Sequence, residues 1–318
     1  MISRRLLRTK VLHVLYAHFR NEGNTIQQTE KELRYSIDKA YDLYHYLLSL
    51  IVEVADFSKD RIDIARNKRR PTPADLNPNL RFVDNPVIEI IRNNRALTNY
   101  LTRTKLSWKN DGDLVKTIFG KIQESAEFKE YMEAETSDFD ADKRILVKLF
   151  NKEIMSCEDL YDTLEEQSIY WNDDVEYVIN MIAKTIKRIT PEDSSHLPLM
   201  PLYRDEEDEE FASKLLRKSL TTSDELDGLI TEHAENWELD RIIFIDRLLL
   251  RLAMTEMMEF SQIPTKVTIN EYLEISKYYS SQKSNVFING VLEQMLVRFR
   301  KEGRINKQGR GLIGEGEE

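Results

Sequence analysis

The chain offers few places to stop a helix. From Gln28 to Phe57 no glycine or proline interrupts a run in which Leu43, Leu47, Ile51 and Val54 recur every three or four residues. That spacing stacks apolar side chains on one face of a 3.6-residue turn, whereas a half-buried strand would need strict alternation. With ten glycines and eight prolines in 318 residues, the pattern predicts an all-α fold. Helices are expected at about 3–19, 28–57, 86–104, 112–134, 141–154, 157–168, 173–188, 207–219, 223–235, 239–260, 268–280 and 285–301. The proline-rich NKRRPTPADLNPN and the stretch TPEDSSHLPLMPLYRDEEDEE at 190–210 break the periodicity, and the second is the stronger boundary candidate. Thr268 and Glu271 have capping-box spacing. The glycine-rich residues 302–318 read as a flexible tail.

A faint internal similarity links two segments. Arg144, Leu146, Lys148, Leu149 and Glu153 match Arg247, Leu249, Arg251, Leu252 and Glu256 at a constant offset, and YVIN at 177–180 parallels VFIN at 286–289. Either a degenerate repeat or the generic likeness of amphipathic helices accounts for it.

Charge is unevenly placed. Forty-six basic against 56 acidic residues give a formal charge of -10, which argues against a uniformly basic surface and leaves local basic sites open. The first twenty residues hold Arg4, Arg5, Arg8, Lys10 and Arg20 with no acid. The single cysteine, Cys157, suits a reducing cytosol. No run reaches the length of a membrane span, so a cytoplasmic protein is expected. The five histidines lack metal-site spacing, and there is no glycine-rich phosphate loop. No enzyme activity, metal or cofactor is implied.

Two places invite a binding role. On a helical wheel Arg4, Arg5 and Arg8 fall in an arc of about 100°, either a solvated face or a cradle for phosphate. In the last helix Ile288, Val291, Leu292, Met295, Leu296 and Phe299 form a buried stripe, with Phe287 and Asn289 at its two margins. Phe287 is either an edge core residue or a ring on which an unpaired base stacks. Ser284, Asn285 and Asn289 either cap the helix or bond a nucleotide. In the run DRLLLRLAMTEM at 246–257, Arg251 is expected to pair with Asp246 or Glu256, because an unpaired buried charge is costly.

RRLLRTKVLHVLYA at 4–17, NWELDRI at 236–242, DRLLLRLAMTEM, IPTKVTINEYLEISKYYS at 263–280 and KSNVFINGVLE at 283–293, in that order, resemble the NusB family of transcription antitermination factors. The resemblance implies NusB-like helical bundles and no catalysis. It implies binding of boxA-like RNA in ribosomal leader transcripts, with ribosomal protein NusE as partner and the RNA polymerase elongation complex as the indirect target. It would place the arginine-rich motif on Arg4, Arg5 and Arg8 and the RNA-contacting aromatic on Phe287. Substitution of Arg5 or Arg8 is then expected to weaken RNA binding with little effect on folding. Residues 1–20 and 205–301 would form the NusB-like core, and 21–204 an inserted helical region of about 180 residues that either packs as a degenerate second helical unit, covers a surface used by partners or replaces dimer contacts. A protein-interaction adaptor of the transcription machinery with weak or no RNA binding of its own is the alternative, favoured by the acidic insertion.

Overall fold

The computed structural model describes residues 2–21, 23–136, 138–193, 197–233 and 242–314, and no strand occurs among them. The expected words NWELDRI, apart from Ile242, and the first residues of the helix expected at 239–260 lie outside the described residues. In chain order the helices are α1 Arg4–Arg20, α2 Ile26–Arg66, α3 Pro73–Leu76, α4 Pro86–Arg92 and α5 Arg95–Thr104. There follow α6 Gly112–Glu124, α7 Ala126–Glu133, α8 Phe139–Leu149, α9 Glu158–Gln167 and α10 Val175–Arg188. The remainder are α11 Glu206–Thr221, α12 Ser223–His233, α13 Phe244–Glu259, α14 Thr265–Tyr279 and α15 Gln282–Lys301.

Several expected helices are cut by caps. The helix expected at 86–104 is two, because Asn94 accepts from Leu97 N at 2.9 Å and starts α5. Ser125 does the same between α6 and α7, accepting from Phe128 N at 3.3 Å. Conversely α2 runs on to Arg66, since nothing in KDRIDIAR breaks it. The expected Thr268–Glu271 capping box is not formed: α14 begins a turn earlier, behind Pro264, and both side chains are used elsewhere.

The chain divides into two compact units, one of Met1–Ile2 and Asp38–Leu202, the other of Ser3–Ile37 and Tyr203–Glu318. The first edge falls inside α2 rather than near residue 20, where sequence put it. The reason is local. In the second unit His18 Nδ1 lies 2.6 Å from Thr29 Oγ1, and Arg217 grips Glu30 through Nε at 2.6 Å and Nη2 at 2.9 Å. These contacts tie the first turns of α2 to α1 and α11.

In the Asp38–Leu202 unit, Tyr46 stacks flat on Trp108 with ring centroids 3.7 Å apart, and His45 on Tyr100 at 3.6 Å. The Trp108 and Trp171 indoles donate to the Tyr46 and Lys39 carbonyls at 2.9 and 2.7 Å, so the large rings are buried without orphaned donors. Apart from Glu153, just past the end of α8, the two segments of like sequence fall on α8 and α10 here and on α13 and α15 in the other unit. Each is a packed pair within its own unit.

The second unit is organised around α13. Every residue from Leu248 to Met257 is buried, as befits a helix enclosed on all sides, and α1, α11, α12, α14 and α15 pack on it. After α15 the chain docks instead of fraying. Lys307 Nζ donates to the Phe260 carbonyl and Gln308 N to that of Ser261, each at 2.9 Å, and Gly309–Leu312 form a 3-10 turn. The expectation of a flexible tail is therefore corrected for residues 303–314.

Candidate nucleic-acid interface

Ser3 caps α1 by accepting from Leu6 N at 3.2 Å. With no acid in the first turn, the positive helix end adds to three guanidinium groups. Carboxylates of other helices in the unit answer them. Arg4 Nε donates to Asp208 on α11 at 2.6 Å, with Glu207 at 3.5 Å. Arg5 makes a two-pronged bond to Glu271 on α14 at 2.9 and 2.8 Å. Arg8 does the same to Glu256 on α13, both prongs at 2.7 Å, and reaches Glu271 at 3.5 Å.

Glu256 is the hub of this network. It is 0% exposed and Arg8 3%, and the carboxylate also accepts from Thr268 Oγ1 at 2.9 Å and Tyr272 OH at 3.1 Å. A charge so deep persists only when its oxygens are satisfied. Burial works against the Arg8 charge, but attraction to Glu256 and the bonds between them outweigh it and raise its pKa. Burial pushes the Glu271 carboxyl up, yet the Arg5 bond and the Arg8 and Arg5 charges hold it below the usual carboxylate range. The Tyr272 phenol is driven well up, first by burial and then by the neighbouring Glu256. Arg8 was expected on the phosphate-binding face; it is a core residue instead. The side chains of Arg4 and Arg5 stay 23% and 37% exposed.

The expected pairing of Arg251 with Asp246 or Glu256 is also corrected. Arg251 bonds Asp227 on α12, through Nε at 2.6 Å and through Nη2. Asp246 accepts from Ser280 Oγ. Both expected partners lie five residues from Arg251, and side chains so spaced diverge around a helix where those three or four apart would meet.

At the start of α15 most of the expected contact residues serve the fold. Ser284 is 4% exposed and bonded to Ser280 Oγ at 2.9 Å and Ser281 Oγ at 2.8 Å. Asn285 Nδ2 donates to the Leu273 carbonyl at 2.9 Å and Ser276 Oγ at 3.0 Å, tying α15 to α14. Asn289 donates to Glu293 Oε1 at 2.9 Å. Phe287 is half-buried, between exposed Val286 and core Ile288, and among the described residues it stacks on no other ring.

The arginines and Phe287 are not brought side by side. α1 and α14 run in the same direction, with Arg5 on Glu271 and His13 edge-on to Tyr279 at 5.1 Å, both antiparallel to α13. Arg8 thus sits level with Glu256, whereas Ser280 fastens the start of α15 level with Asp246. Those levels are separated by ten residues, or about 15 Å of helix. Phe287, three residues beyond Ser284, lies nearer the Asp246 level.

At that end an aromatic cluster gathers that sequence reading missed. Phe244 meets Tyr16 edge-on at 5.5 Å and Phe19 at 6.4 Å. The Arg20 and Arg247 guanidinium groups lie over the Phe244 ring at 4.5 and 4.9 Å, and that of Arg251 over Phe19 at 4.6 Å. The available signal was Arg20 in the acid-free opening and Arg247 one turn before Arg251. Phe244, three residues before Arg247, was the local link to that arginine, whereas nothing local joined Arg20 to it.

Among the described residues, no group of three or more His, Cys, Asp or Glu side chains is placed to hold a metal, and no helix is long and apolar enough to cross a membrane. Residues 201–297 match the NusB family. The transcription antitermination protein NusB of Salinibacter ruber is 47% identical over 115 residues, 36% of this chain and 72% of the relative. The protein of that name from Myxococcus xanthus is 40% identical over 98 residues, 31% and 70% of the two chains, and that from Chloroherpeton thalassium 36% over 132 residues, 42% and 59%. The family match falls almost wholly on α11 to α15.

Proposed function

Because the chain belongs to the NusB family, we propose that it is a non-catalytic, RNA-binding transcription antitermination factor. On this reading it binds boxA-like RNA in ribosomal leader transcripts together with ribosomal protein NusE, and through that complex acts on the elongating RNA polymerase. The observation that carries the reading is Phe287. In a turn where Ser284 and Asn285 are committed to the fold, its half-buried ring has no stacking partner among the described residues, which is what an unpaired base needs. Arg4 and Arg5 supply phosphate contacts by exchanging Asp208 and Glu271 for the strand. Such contacts give salt-dependent affinity, while base contacts give sequence preference. Arg8 positions Glu256 and Glu271 and does not touch RNA.

The test is a titration of the full-length protein with boxA-like and scrambled single-stranded RNA, with and without NusE. Tighter binding of the boxA-like strand, strengthened by NusE, is expected; equal affinity for both strands in both conditions would overturn the reading. The carboxylates that neutralise Arg4, Arg5 and Arg8 favour a second reading, a protein-interaction adaptor. Capture of NusE with no RNA affinity even in the joint complex would select it.

A further inference from the structure

Two guanidinium groups in the second unit share one aromatic ring. Arg4, Arg5, Arg8, Arg217 and Arg251 each meet a carboxylate, whereas among the described residues Arg20 and Arg247 meet none. Both lie over one ring, Phe244, at 4.5 and 4.9 Å, and Arg20 also lies over Tyr16 at 5.3 Å. The buried Nε of Arg247 has no acceptor among the described residues, and neither has Nη1 of Arg251, whose guanidinium lies over Phe19. Two like charges are thus held close together on the first turn of α13 and the last turn of α1. The dipole at the start of α13 opposes a cation there, and Ile243 gives that helix end no side-chain cap. Among the described residues no carboxylate answers this pair of charges, which leaves their exposed donors open to an anion from outside.

We propose that Arg20 and Arg247, seated on Phe244 beside Tyr16, grip the phosphates of single-stranded RNA at the Asp246 end of the second unit, away from Arg4 and Arg5. The assignment rests on the RNA-binding reading above and extends it to residues outside the arginine-rich motif. Planar guanidinium groups seated over a ring present paired donors that match a phosphate. Tyr16, 39% exposed, adds an open ring face on which a base can stack. An acidic peptide would use the charges and leave that face idle.

The experiment uses full-length protein, a fluorescein-labelled single-stranded RNA carrying a boxA-like element, and fluorescence anisotropy between about 50 and 200 mM salt. The variants are Arg20→Gln, Arg247→Gln and the pair together, with Arg20→Lys as the charge-retaining control and circular dichroism to confirm the fold. Each lost phosphate contact makes the slope of log affinity against log salt less negative by about 0.7, so the pair is expected to lose about 1.4. Arg20→Lys should keep the wild-type slope. Arg20 is exposed, so its single Gln variant keeps the test decisive if Arg247→Gln disturbs folding. A wild-type slope in the Gln variants, alongside weakened binding by Phe287→Ala, overturns this site and leaves the RNA reading standing. Wild-type protein that binds no RNA with or without NusE overturns both. Poly-glutamate displacing the RNA at matched charge would give the site to an acidic protein instead.

Discussion

Arg8→Met should cost the second unit about 3–5 kcal/mol, the usual range for removing one member of a buried pair. The magnitude follows from what is left behind. Glu256 loses both 2.7 Å bonds and keeps only those from Thr268 and Tyr272, in a place with no access to water. Removing both charges with Arg8→Met/Glu256→Leu should cost less than the two single changes added together, because the stranded charge goes too. It should not be neutral, because the Thr268 and Tyr272 hydroxyls then lose their acceptor, at about 1–3 kcal/mol for an unsatisfied buried group. By contrast Arg5→Gln touches a partly exposed pair worth about 0–1 kcal/mol. Urea unfolding followed by circular dichroism, with peptide-resolved hydrogen exchange over α13, measures these differences. A loss below about 1 kcal/mol for Arg8→Met would refute the claim that this pair holds α1 to α13. If the claim stands, weakened RNA binding in an Arg8 variant reports unfolding, and Arg5 is the residue to test.

Three further outcomes are expected. Phe287→Ala should lose about 1–3 kcal/mol of RNA affinity at fixed salt, measured by filter binding on protein whose fold is confirmed by circular dichroism. Burial lowers the pKa of His45 to about 4, against the raising effect of its bond to the Tyr41 carbonyl. The unfolded chain therefore takes up a proton that the folded one refuses as pH falls from about 6.5 toward 4. Stability present above that window should drop by about 3 kcal/mol across it, and His45→Phe should flatten that part of the profile in thermal melts. A side chain at Gly311 would place its Cβ 1.9 Å from the Ser261 carbonyl oxygen, so Gly311→Ala should undock residues 303–314, read as faster hydrogen exchange there with α13 unaffected.

The helical class was legible in the sequence because breaker scarcity and three–four spacing act locally. The fates of the individual charges were not legible. Arg8 and Arg5 lie on the same arc of one helix, yet one ends at a buried Glu256 and the other at a half-exposed Glu271, and only the packing of α13 and α14 distinguishes them. Arg251 chose Asp227 from a different helix for the same reason. Caps at Asn94 and Ser125 were within reach of sequence reading, since both are residues that favour helix starts; the long apolar periodicity masked them.

The 41-residue helix α2 is shared by both units, its first twelve residues counted with one and the rest with the other. No loop therefore marks where the added mass was spliced in. A shortened protein lacking 21–204 would forfeit the Glu30 and Thr29 anchors along with the insertion, so any minimal version must be trimmed after Ile37 and given a new helix stop there.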